Sequence, residues 1–246
     1  WLEIDRYALA LADKLQLEVV DDYARYEFHV VAQKLHNFCS EDLGAFYLDV
    51  LKDRLYTAAA DGLPRRSAQN ALHHISHSLI RMFAPILSFT AEEAWGHLTG
   101  NAGDSVLFHT WYELPSVDSA EALLARWDTL RAVRSEVQKH LEMLRVEGKI
   151  GSSLAGEVEV RASGEKFALL GSLGDDLRLV FITSAATVTQ VDTPEQEATI
   201  ATPSSHQKCG RCWHYRADVG TDVEHPILCG RCIANLFGAG EPRRYA

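Results

Sequence analysis

The chain has 246 residues, 47% hydrophobic and 24% charged, with a formal net charge of −10. That length supports one large domain or two smaller ones around a sizeable core, and the acidic balance argues against a non-specific nucleic-acid binder. No apolar run reaches the roughly eighteen residues that span a membrane, and no signal peptide is visible at the N-terminus.

Taken in order, the pattern is helical at first. Leu2, Leu9, Leu11, Leu15 and Leu17 suit one helix, already in its middle where the sequence starts, which suggests a piece of something larger. Tyr23, Tyr26, Val30, Leu35 and Phe38 continue an apolar face through Cys39. Ser40 and Asp42 read as caps for a new start, with helix over 43–60. Asp61 to Pro64 reads as a stop, and helix resumes over 65–83 until Pro85. Thr90 to Glu93 is a capping-box pattern opening a short helix through Leu98. Residues 100–115 read as loop. Residues 118–147 carry a long stripe of Trp127, Leu130, Val133, Val137, Leu141 and Leu144.

At Gly148 the grammar changes. Alternation over 157–161 predicts a strand. Residues 165–173 suit a short helix, and 177–183 and 187–191 read as strands rich in Val, Ile and Thr. The polar stretch 192–205, with two prolines, reads as a linker. The expected architecture is therefore mainly α: a helical bundle over 1–148, a small α+β junction and linker over 149–202, and a metal module over 203–246.

That module carries the strongest signal. Cys209-Gly-Arg-Cys212 and Cys229-Gly-Arg-Cys232 are two knuckles at the spacing of a structural zinc site. Gly210 and Gly230 ease the tight turns that aim both sulfurs of a knuckle inward. Four thiolates close a tetrahedron and leave no open position, so one zinc would act as a staple. Competing readings are a redox dithiol or a pair of disulfides, and iron can also occupy such a site. The fifth cysteine, Cys39, reads as a buried thiol. His206, His214 and His225 flank the knuckles, but four cysteines already satisfy a metal. His73, His74 and His77 lack a placed carboxylate and read as packed or polar positions.

No catalytic constellation stands out: there is no phosphate-cradling glycine loop and no nucleophile elbow. Residues 203–246 hold six Lys/Arg and four Asp/Glu, so this tail is +2 and the remainder −12. Trp213 follows the second cysteine among Arg211, His214, Tyr215 and Arg216. It reads either as padding for a tiny core or as a platform on which an unpaired base stacks. Lys52 and Arg54 read as a solvated face or as phosphate contacts with Asp53 orienting one of them. Arg126 to Lys149 read as a salt-bridged helix surface.

The runs Asn37 to Asp42, Ala45 to Thr57 (AFYLDVLKDRLYT) and Ala84 to Trp95 (APILSFTAEEAW) resemble the anticodon-binding helical domain of bacterial isoleucyl-tRNA synthetases. Lys149 to Leu154 (KIGSSL) resembles the junction after that bundle, and the two knuckles resemble the C-terminal zinc finger. The resemblance covers essentially the whole chain in the same order. Gly210 stands where the family is expected to have Pro, and Ala155 where Glu is expected. The family's HIGH and KMSKS sequences and its editing domain are absent. The resemblance thus implies a part that grips isoleucine tRNA by its anticodon stem-loop, while the rest of the parent synthetase chain performs the ATP-dependent ligation. It implies one zinc on Cys209, Cys212, Cys229 and Cys232, no catalytic residue, and RNA contacts from Trp213, Arg211, Arg216, Arg231, Lys52, Arg54 and Lys149. It further implies a cytoplasmic monomer without membrane contact. Two other readings stand beside it: a duplex-DNA-binding finger of the DNA-glycosylase type, and a zinc-stapled protein-interaction module.

Overall fold

A computed structural model describes residues 1–101 and 103–246. Helix α1 spans Glu3–Ala24 and α2 Phe28–Asn37. The break between them falls at Tyr26, which holds a positive φ of 60°. Ser40 and Asp42 start no new helix. They lie within a π-helical segment, Phe38–Tyr47, which leads directly into α3, Leu48–Thr57. Asn37 and Leu48 keep right-handed helical torsions, so the chain never pauses to be capped. Pro64 likewise opens a helix instead of closing one. It sits in the first turn of α4, Leu63–Phe83, where its missing N–H has no intrahelical partner to lose. Helix α5 runs Ser88–Thr99, so Thr90 lies inside its first turn and is no cap. The loop after it contains a short 3-10 turn at Val106–Phe108, and α6 spans Ala120–Val146.

The chain falls into two units. The first holds Glu3–Asp49 and Arg66–Leu124, the second Val50–Arg65 and Ala125–Ala246. The first has a core of Ile4, Tyr7, Leu9, Val19, Val31, Leu35, Phe46 and Tyr47. Asp5 is buried there, and its carboxylate accepts hydrogen bonds from Tyr47 (2.7 Å) and Ser67. In the second unit the α6 stripe of Trp127, Leu130, Val133, Val137 and Leu141 is buried as expected from its spacing.

Beyond α6 comes a three-stranded sheet in the order β2-β1-β3. Strand β1 is Gly156–Ala162. Helices α7 (Gly164–Ser172) and α8 (Asp176–Phe181) lead to β2, Ala185–Gln190, which runs parallel to β1. The run 177–181, expected to be a strand, is thus helical. Its five residues are all buried, and a short apolar run buried on every side has no periodicity that separates strand from helix. The expected linker also proves ordered in part: β3, Ala198–Pro203, pairs antiparallel with β1. Its side chains are only part-buried, as suits an edge strand of weak hydrophobic pattern. Gly156 begins β1 beneath Leu141; a Cβ there would lie 2.5 Å from Leu141 Cδ2. Strands β4 (Gln207–Lys208) and β5 (Tyr215–Arg216) form a ribbon around the first knuckle, and α9, Gly230–Phe237, carries the second. Among the described residues, no helix is long and apolar enough to cross a membrane.

Candidate metal centre

The ribbon and the start of α9 bring the two knuckles together. The backbone N–H of Cys209 donates to the carbonyl of His214 (2.8 Å), and that of Trp213 to Cys209 (3.1 Å), closing the first knuckle. Cys229 is the N-cap residue of α9, so Cys232 lies in its first turn. Gly210 N donates to Ile227 O (2.9 Å), and Cys229 N to Cys209 Sγ (3.3 Å), which register one knuckle on the other. Asp218 holds the second turn by accepting from Gly230 N at 2.9 Å.

All four sulfurs are buried and lie within 4.8 Å of one another, with no disulfide among them. Cys212 and Cys229 are separated by 3.7 Å. A tetrahedron with Zn–S bonds of about 2.3 Å has edges of about 3.8 Å, so this donor set fits one structural zinc ion. The disulfide reading fails on the same geometry, since a covalent S–S bond needs about 2.05 Å. Hydrogen bonds from Cys229 and Cys232 drive the Cys212 thiol far below its ordinary pKa. Donation to that thiolate pushes Cys229 up to about 11. One thiolate, at Cys212, is thus stabilised by its neighbours, while hydrogen bonds to Cys212 and Cys229 push the Cys232 thiol up as well.

The flanking histidines do other work. His214 is buried with Nδ1 3.2 Å from Cys212 O. His225 stacks on Phe237, ring centroids 4.2 Å apart. His206 Nε2 lies 3.8 Å from Glu157. Cys39 is half-buried rather than buried, and partial burial raises its thiol pKa.

The expected RNA contacts divide sharply. Trp213 is 60% exposed, with Lys208 Nζ 5.2 Å from its ring centroid. Its φ of +65° places a bulky aromatic in the left-handed region that glycine would occupy without strain. Arg216 is half-buried, donating to Ser184 O (3.4 Å) and lying 3.9 Å from Asp218. Lys52 and Lys149 are exposed, and Lys149 pairs with Glu147 at 2.7 Å. Three guanidiniums turn inward, against the expectation that they face RNA. Arg54 is fully buried and donates to Pro64 O (3.4 Å). Arg211 donates to Thr57 O (2.6 Å) and Tyr56 O (3.3 Å). Arg231 donates to both oxygens of Asp53, at 2.6 and 2.8 Å. Burial alone would raise the Asp53 pKa, but the hydrogen bond from Arg231 and the charges of Arg231 and Arg243 hold it well below the usual carboxylate range.

Sequence reasoning missed two features here. Lys208 was an unassigned cation, although its place beside the knuckle signalled contact with Trp213. Exposed apolar side chains on the finger, at Val223, Ile227, Leu236 and Phe237, are the kind of feature that would mark the protein-interaction reading, but the sequence did not single out these residues.

Residues 5–160, more than half of the chain, match the family described as the anticodon-binding domain of tRNA ligase. Residues 207–235 match the zinc finger found in FPG and IleRS. Over its full length the chain is 58% identical to an isoleucine–tRNA ligase of Aromatoleum aromaticum, 57% to one of Nitrosomonas europaea and 59% to one of Cupriavidus pinatubonensis. It spans about a quarter of each of those relatives, from 26% to 27%.

Proposed function

The chain belongs to the anticodon-binding domain family of tRNA ligases, and on that premise we propose that it is the tRNA-gripping part of an isoleucine–tRNA ligase. In this reading the helices hold the anticodon stem-loop of isoleucine tRNA and the finger closes over the loop. The parent protein attaches isoleucine to that tRNA with ATP, using residues outside this chain. It works in the cytoplasm, as a monomer.

The observation that carries the reading beyond family membership is Trp213. An exposed indole kept in a strained backbone conformation, with a lysine over its ring, is a stacking platform for an unpaired base. Anticodon bases are unpaired and splayed, which suits stacking better than a duplex does. Phosphate contacts that position the arm come from Lys208 and Arg216 on the finger and from Lys52 and Lys149 elsewhere. Arg54, Arg211 and Arg231 contribute by holding structure instead of touching RNA.

The test is a titration of the 246-residue chain with a synthetic isoleucine anticodon-arm hairpin, an unrelated arm and duplex DNA, at two salt concentrations. The expected result is preference for the isoleucine arm, with affinity falling as salt rises. Equal binding to all three, or none at either salt, overturns the proposal. The apolar side chains of the finger favour a second role, docking against protein, which belongs to the same finger and to the rest of the parent chain.

A further inference from the structure

The sequence Cys-Gly-Arg-Cys occurs twice, and both of its arginines reach the same helix. Arg211, inside the first knuckle, donates to the carbonyls of Tyr56 and Thr57, the last residues of α3. A cation is favoured there because the terminal carbonyls of a helix have no intrahelical donor. Arg231, inside the second knuckle, makes a bidentate pair with Asp53 one turn earlier. Two tethers from two knuckles fix the finger's rotation as well as its distance from α3.

The Asp53 end is the more elaborate. Arg243, from the C-terminal tail, also donates to Asp53 and pairs with Glu241 at 2.9 Å. Asn235 of α9 donates to Glu241 at 2.9 Å, and Glu241 N donates back to Asn235. Side-chain exposure is 17% for Asp53, 10% for Arg231, 9% for Glu241 and 1% for Arg243. Two cations and two anions thus neutralise one another out of water. A pair of this kind contributes geometry more than net stability, because desolvation offsets much of its attraction. Bidentate pairing adds directional constraint.

We propose that Asp53 is a positioning residue: it locks the zinc knuckles onto α3 through Arg231 and Arg243 and so fixes where Trp213 presents its ring to RNA. The proposal rests on the anticodon reading for its consequence, and on the geometry alone for the lock. It also assigns the repeated arginine of the two knuckles a docking role rather than a phosphate-binding one.

The experiment uses the full chain carrying Asp53→Asn, which keeps shape and removes charge. Zinc content should stay at the wild-type value. Amide hydrogen exchange across 209–216 and 229–237 should accelerate. Affinity for the anticodon-arm hairpin should fall about tenfold, within the range that one stacked base supplies. Trp213→Ala, which weakens binding in the wild type, should add little to Asp53→Asn, and Asp53→Glu should recover part of the loss. Wild-type exchange and affinity in Asp53→Asn, or a fully additive Trp213→Ala, would overturn the proposal. If Asp53→Asn loses zinc, Arg243→Met, on the tail and away from the ligands, takes its place with the same readings. The exchange measurement is made without RNA. It therefore decides the lock even where the wild-type chain fails to bind the hairpin, an outcome that strikes the anticodon reading instead.

Discussion

Replacing Trp213 by glycine should move stability and binding in opposite directions. The residue holds φ at +65°, where an L side chain costs about 1–2 kcal/mol because Cβ crowds the following carbonyl. Glycine escapes that cost but gives back roughly 0.5–1 kcal/mol through the freedom it adds to the unfolded chain. The ring is 60% exposed and so forfeits little burial on removal, and its contact with Lys208 contributes on the order of 0.5 kcal/mol. Trp213→Gly should therefore leave the finger as stable as before, or more stable by up to about 1 kcal/mol. Trp213→Ala keeps the unfavourable φ and should be less stable than the glycine variant by about 1 kcal/mol. Both should lose roughly 1–3 kcal/mol of affinity for the anticodon arm, about 5- to 150-fold, if a base stacks on the indole. Stability is read from denaturant midpoints with zinc present, and affinity from anisotropy of a labelled hairpin. Equal stability of the two variants would refute the strain argument. Unchanged affinity in both would refute the stacking platform.

Chelating the metal, or replacing Cys229 by serine, should unfold 207–237. It should spare most of the helical signal, because metal binding supplies on the order of 10 kcal/mol to a module with little core of its own; far-UV circular dichroism with and without chelator checks this. His77 stacks on Tyr112 at 5.2 Å and accepts from Arg81 at 3.1 Å. Burial, helped by His73 and Arg81, pushes its pKa from 6.5 down to about 4. The unfolded chain then binds this proton more readily than the folded one. The associated stability is complete above about pH 6.5 and declines as pH falls toward 4, and a His77→Phe variant should show a flatter decline in thermal unfolding across that window. Gly156→Ala would set a methyl 2.5 Å from Leu141 Cδ2 and 3.2 Å from Ser153 O. It should lower stability by about 1–3 kcal/mol, seen as a reduced unfolding midpoint.

Where the sequence was legible, a single strong signal fixed the element. The stripe from Trp127 to Leu141 could only be one buried helical face, and it is. The four cysteines point to a metal module because two knuckles at that spacing suit one tetrahedral ion, and the separation of the sulfurs then excludes the disulfide alternative. Legibility failed where two structures share one local pattern. Ser40 and Asp42 have cap chemistry, yet the π-helical segment around them absorbs the extra residues without a break. Leu177 to Phe181 is apolar throughout save Arg178, and burial on every side erased the period that would have announced α8. Strand β3 was hidden for the opposite reason. Its mix of small, apolar and Thr side chains, none of them fully buried, shows no core-facing alternation, and its place is set by pairing with β1, which is a long-range fact.

The arginines show the same limit in electrostatic form. Counting charge over 203–246 gives six cations, and three of them, Arg211, Arg216 and Arg231, are expected from the sequence to meet RNA beside Trp213. A count cannot see that a finger with a sparse core must also be held to its support. Arg211, Arg231 and Arg243 are used for that, against carbonyls and buried carboxylates. What remains exposed on the finger is Lys208 and Arg244, with Arg216 half-buried, a thin positive surface on a chain of net charge −10. Such a surface cannot hold RNA by charge alone, since non-specific affinity scales with the number of phosphates neutralised. On the proposed reading, discrimination comes from stacking and from shape, which require the platform to be held still. On that reading the partition of the arginines and the strain at Trp213 are two sides of one arrangement: charge held inside fixes the position of a ring proposed to act outside.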